Sequence, residues 1–105
     1  MVALVFSYEV RDPEAFERVY GPDGEWAAFF RTGRGYVGTE LLRDVENPGR
    51  YLVIDRWESR EAYNEFASQQ RDEYVRRVDD TRVYYDHELR FGTFENVWSA
   101  ADPNE

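Results

Sequence analysis

Arg50-Tyr51-Leu52-Val53-Ile54-Asp55-Arg56-Trp57-Glu58 alternates along its length. Tyr51, Val53, Asp55 and Trp57 fall on one side, Leu52, Ile54 and Arg56 on the other. A period of two marks a β-strand. Apolar residues on both sides predict a central strand covered twice. Immediately upstream, Asn47-Pro48-Gly49 is a turn, and Tyr36 to Val45 is a second strand rich in aromatic and branched residues, so the two form a hairpin. Downstream, Ser59 is placed to cap a helix. Tyr63, Phe66, Ala67, Gln70, Tyr74 and Val78 trace its apolar stripe, with a bend expected near Ser68. Val83 to Phe94 reads as a last, aromatic strand.

Toward the N-terminus, Val2, Leu4, Phe6, Tyr8 and Val10 share one side of a first strand. Asp12-Pro13-Glu14 supplies a cap, a first-turn proline and an acidic first turn for a short helix carrying Phe16, Val19 and Tyr20. Gly21-Pro22-Asp23-Gly24 breaks it, and a second short helix carries Trp26, Phe29 and Phe30. The order is β-α-β-β-α-β, an α+β, ferredoxin-like arrangement with a four-stranded antiparallel sheet. Helices can cover one sheet face only. Apolar residues on both parities therefore predict a homodimer with sheets packed face to face. The reading is one domain over residues 1–96 and an acidic tail over 97–105.

Composition narrows the chemistry. The chain has 105 residues and a formal charge of −9, with 13 Lys+Arg against 22 Asp+Glu. An acidic surface repels phosphate backbones and anionic lipid, which argues against nucleic-acid and membrane roles. Cysteine and lysine are absent from the sequence, and His87 is its one histidine. Thiol nucleophiles, lysine Schiff bases and Cys- or His-rich metal centres are excluded within one chain, so no metal or cofactor is expected. The N-terminus lacks a basic region ahead of its short apolar run, and no stretch approaches the ~20 apolar residues of a membrane span, which predicts a cytoplasmic protein. Eighteen aromatic residues (3 Trp, 8 Tyr, 7 Phe) must dominate core, interface and any pocket.

Tyr20-Gly21-Pro22-Asp23-Gly24-Glu25-Trp26, Gly35-Tyr36-Val37-Gly38-Thr39-Glu40-Leu41-Leu42-Arg43-Asp44 and Arg50 to Ser59, with Tyr63 and Phe66 behind them, resemble the antibiotic biosynthesis monooxygenase family. The resemblance spans roughly residues 2–95 and implies a dimeric α+β barrel. It also implies a monooxygenase that needs no metal or flavin and acts on an aromatic or quinol-type small molecule held between sheet and helices. Haem-degrading members place an Asn on the first strand, and a Trp and a His on the second helix. Here the first strand offers Ser7 and Tyr8, and the helix has Phe66 but neither His nor Trp. That departure speaks against haem oxygenation. A non-catalytic dimeric binding module and an isomerase or cyclase working by proton transfer remain alternatives.

His87 is the one side chain with an ordinary pKa near neutrality, which makes it the expected general base. The plainer reading is a hydrogen-bonded strand histidine. Trp57 is expected to stack on a flat substrate and donate its N–H to a carbonyl or oxyanion, against an ordinary core tryptophan. Tyr8, Trp26, Phe30, Tyr36, Tyr63 and Phe66 are the expected substrate-binding residues, against core filling. Asp55 and Arg56, charged residues in an apolar strand, are expected to take part in a salt bridge or an interface network, against a catalytic role.

Overall fold

The computed structural model describes residues 1–97. Its elements are β1 (Val2–Glu9), α1 (Pro13–Tyr20), α2 (Glu25–Phe30), β2 (Tyr36–Arg43), β3 (Arg50–Trp57), α3 (Arg60–Gln69), α4 (Arg71–Thr81) and β4 (His87–Glu95), with a 3₁₀ turn at Arg82–Tyr84. The strands form one sheet in the order β2-β3-β1-β4, and every neighbouring pair is antiparallel. This is the ferredoxin-like arrangement, with each crossover made of two helices.

Local chemistry sets the helix starts. The Asp12 carboxylate accepts from the Ala15 amide at 3.2 Å, and Pro13 opens α1. The Ser59 hydroxyl accepts from the Ala62 amide at 3.0 Å and opens α3. The expected single helix after Ser59 divides at Gln70, whose φ of −106° and ψ of 26° leave helical geometry. Two residues later than the expected bend, α4 sets off in a new direction. At the turn into β2, Gly33 admits the Phe66 ring, which would lie 2.4 Å from a Cβ, and Gly35 takes a φ of +92°.

Val2, Leu4, Tyr8, Tyr51, Val53 and Trp57 project from one sheet face into the core. There they meet Phe16, Val19 and Tyr20 of α1, Trp26, Phe29 and Phe30 of α2, and Phe66 of α3. β3 is central, but the described residues cover it on one face only. On the other face, Leu42, Leu89, Phe91 and Phe94 are exposed in the single chain.

The last strand starts later than its sequence suggests. Val83 and Tyr84 lie in the 3₁₀ turn that continues α4, and pairing begins at His87 opposite Glu9. The intervening Tyr85 turns inward, its ring centroid 5.1 Å from that of Tyr8. β1 and β4 shift register between Val5 and Phe6, where Gly92 takes a φ of +140°. The expected tail over 97–105 lies outside the described residues apart from Val97.

Candidate functional site

A cavity of about 70 Å³ opens between the sheet and α4. Strand alternation on β1 aims Phe6 and Tyr8 into it, and on β3 Val53 and Asp55. Tyr20 of α1 and Trp26 and Phe30 of α2 form one wall. Tyr74, Val78 and Thr81, at helical spacing on α4, form the roof, and Tyr85 and Glu88 close the β4 side.

Two hydrogen-bonded chains hold the polar groups. In one, the Thr39 hydroxyl donates to Asp55 Oδ1 at 2.7 Å, and the Tyr36 hydroxyl sits 2.5 Å from the Thr39 oxygen. Thr39 has a single proton, so with that proton on Asp55 the Tyr36 hydroxyl is the donor in the second bond. In the other, the Tyr8 hydroxyl donates to Glu88 Oε2 at 2.6 Å. The roof is tied down by the 2.8 Å bond between the Tyr63 and Tyr74 hydroxyls and by Trp26 Nε1 donating to the Thr81 hydroxyl at 3.3 Å.

Burial fixes the protonation states. Asp55 is 7% exposed and has no ion-pair partner among the described residues. The expected salt bridge is made by its neighbour alone: Arg56, on the opposite side of the strand, meets Glu40 at 2.9 Å. Loss of solvent pushes the Asp55 carboxyl up to about 6, against a smaller opposing effect of the Thr39 bond. Tyr8, Tyr20 and Tyr74 are pushed well above the ordinary phenol value, in each case chiefly by burial. At neutral pH these hydroxyls are donors, not bases. The proton acceptors in the cavity are the carboxylates, and burial raises the proton affinity of Asp55.

The residues singled out by sequence take different places. Tyr8, Trp26 and Phe30 line the cavity. Tyr36 reaches it through Thr39, and Tyr63 through Tyr74. Trp57 is fully buried behind Phe30, ring centroids 5.7 Å apart, and its Nε1 has no hydrogen-bond partner. Phe66 packs against Trp57 and Phe29 at 5.2 and 4.9 Å. His87 does not line this cavity. It is exposed and borders a shallow cleft with Glu9, Val10, Asn47, Gly49 and Asp86. Pairing of β4 begins at His87, opposite Glu9, and alternation from there sends Glu88 inward rather than His87. Asp55, Glu88, Tyr20, Thr39 and Tyr85 were not picked out as site residues. Asp55 alone carried a signal, a carboxylate on the Val53–Trp57 side of an apolar strand.

The family model for antibiotic biosynthesis monooxygenase matches residues 25–77, just over half of the chain. The chain belongs to this family. No curated protein matches it by sequence. Among solved structures it is similar to a variant of SnoaB, a cofactor-independent oxygenase from Streptomyces nogalater. That match has a TM-score of 0.79 at 24% identity and covers 96% of this chain and 97% of the other. MhuD with two manganese protoporphyrin IX bound per active site matches at TM-score 0.69 and 24% identity, covering 97% and 100%. A further antibiotic biosynthesis monooxygenase matches at 0.63 and 18%, covering 92% and 99%. At these identities the likeness speaks for the fold. A haem does not fit the residues present: no His, Cys or Met lines the cavity. Tyr8, a phenol facing it, is held protonated by burial and by Glu88.

Proposed function

We propose that this chain is a cofactor-independent monooxygenase that oxidises an aromatic phenol or quinol-type small molecule, and that it works as a homodimer. The reading rests on one observation: a buried carboxylate with a pKa near neutrality, Asp55, set in the floor of an aromatic-walled cavity. The general base is thereby assigned to Asp55 in place of His87. The Asp55 carboxylate removes the hydroxyl proton of the substrate, leaving a delocalised anion rich in electrons at a ring carbon. That carbon transfers electrons to dioxygen and forms a C–O bond, and the resulting peroxide anion takes the proton back from Asp55. Asp55 then removes the hydrogen on the same carbon as the O–O bond breaks. The departing hydroxide takes that proton and leaves as water. Phenol and dioxygen become quinone and water, with all electrons supplied by the substrate. Rings of Trp26, Phe30 and Tyr74 hold the substrate plane, and the fully buried Trp57 stiffens Phe30 from behind.

Oxygen consumption with a panel of polyketide phenols and quinols tests this. Uptake with stoichiometric quinone is expected, and Asp55→Asn should lower turnover by roughly 10²–10⁴-fold while leaving the fold intact by circular dichroism. Product without oxygen uptake would favour the isomerase or cyclase, and saturable binding without turnover the binding module.

A further inference from the structure

The polar groups that face the cavity carry one sign. Asp55 lies at its floor and Glu88 at its mouth, and no arginine or histidine lines it. Two arginines near the wall are engaged elsewhere, while Arg82 lies close enough to act on the Tyr85 hydroxyl. Arg77 pairs with Glu73 at 3.0 Å and sits over the outer ring of Phe29 at 4.7 Å, and Arg31 donates to the Pro22 carbonyl at 2.6 Å. Two side-chain donors are also committed, Trp26 Nε1 to Thr81 and the Tyr8 hydroxyl to Glu88. The two carboxylates give the cavity a preference for positive charge. Among the described residues the Thr39 hydroxyl is the one bond to the Asp55 carboxylate, and it reaches Oδ1. Oδ2 is left without a donor, on a side chain more than nine-tenths buried with no counter-ion.

The walls have the same preference. Tyr8 lies with Tyr20 and Tyr85 at centroid separations of 5.1 Å each, and Trp26 stands against Tyr74 at 5.4 Å. These pairs are tilted or edge-on, and an aromatic wall beside a carboxylate suits an organic cation, whose charge is attracted to ring faces. An anionic ligand would meet two carboxylates and no compensating charge, within a chain of net charge −9.

We propose that the cavity selects an organic cation, an aromatic molecule bearing a protonated amine, over its neutral and anionic analogues. The amine would sit between Asp55 Oδ2 and the ring faces, with Glu88 drawing it in at the mouth. This names a ligand class for the cavity; an ammonium on Oδ2, the oxygen Thr39 leaves free, would occupy the group assigned above as base, so the proposal stands apart from that reading and is tested by binding rather than by turnover.

Three probes of similar shape decide it: 2-phenylethylammonium, 2-phenylethanol and phenylacetate, titrated by calorimetry into the full chain. The ammonium should bind about tenfold more tightly than the alcohol, and phenylacetate most weakly. Asp55→Asn should erase most of that preference, and Glu88→Gln, at an exposed position, part of it. Benzyltrimethylammonium, which cannot lose its charge, gives a second measurement without mutation. Its affinity should fall about tenfold from pH 7.5 to pH 5 as Asp55 takes up a proton. Tyr8 of β1, Tyr36 through Thr39 of β2, Tyr74 of α4 and Glu88 of β4 are the other titratable groups turned toward Asp55. The tyrosines stay neutral over this range. Equal binding of alcohol and ammonium, no binding of any probe, or a preference that survives both substitutions would overturn the proposal. Ammonium selectivity without oxygen uptake would leave it standing and remove the oxygenase reading, and uptake restricted to anionic or neutral phenols would do the reverse.

Discussion

Asp55 is the buried carboxyl proposed as the base. Its carboxyl holds a proton up to about pH 6 in the folded chain, against an ordinary value of 3.8. Between those values the native state binds more protons than the unfolded state, so stability falls as pH rises through the window. Above it the cost is fully present, on the order of 3 kcal/mol for a shift of this size. Asp55→Asn keeps the shape and removes the charge. Denaturant titrations should find the variant more stable than the parent at pH 7.5 by about 1–3 kcal/mol, with the gap closing toward pH 4. That cost accords with the base role proposed for Asp55. The fully buried Trp57 is the contrasting case. Its unpartnered N–H is separated from the cavity by Phe30, so the ring serves packing.

At the scale of elements, the cavity exists because the second crossover is two helices rather than one. The break at Gln70 lets α3 press Phe66 onto Trp57, while α4 lies over the sheet as a roof carrying Tyr74, Val78 and Thr81. The turn into β2 has to bring its backbone close under α3. Gly35 there has a φ of +92°, and a Cβ on it would sit 2.8 Å from the Cβ of Ala62. Gly35→Ala therefore meets both an unfavourable backbone region and a clash. It should lower the unfolding free energy by roughly 1–3 kcal/mol, read from the urea midpoint at unchanged slope.

Among the described residues, one side of the sheet is left without a covering element. Leu42, Leu89, Phe91 and Phe94 are 45%, 58%, 44% and 52% exposed on the face away from the helices. Wet apolar patches of this kind are uncommon on monomers. With sheets packed face to face, sedimentation at low micromolar concentration should return twice the 12.5 kDa chain mass. Phe94→Asp, which sets a charge on that face without touching the cavity, should return the single mass. A wild-type protein that sediments as one chain would remove the dimer. No helix among the described residues is long and apolar enough to cross a membrane.

Local periodicity was enough for the strands and helices, because alternation and 3.6-residue spacing are set by each segment's own backbone. It extended to the order of elements, to the caps at Asp12 and Ser59, and, with the family resemblance, to the dimeric-barrel class. It also carried Tyr8, Trp26 and Phe30 to the inner side. It failed where the environment of a side chain is made by distant parts of the chain. His87 was favoured for its ordinary pKa, but a 3₁₀ turn displaced the start of β4 and put Glu88 in the inward position. Asp55 was read as part of a salt bridge or an interface network, but the residues packed over it from β2 and α4 bring hydroxyls and rings rather than a cation. An amino-acid sequence states which groups can ionise. Only the tertiary structure decides which of them lose water, because desolvation is a property of everything packed around a group.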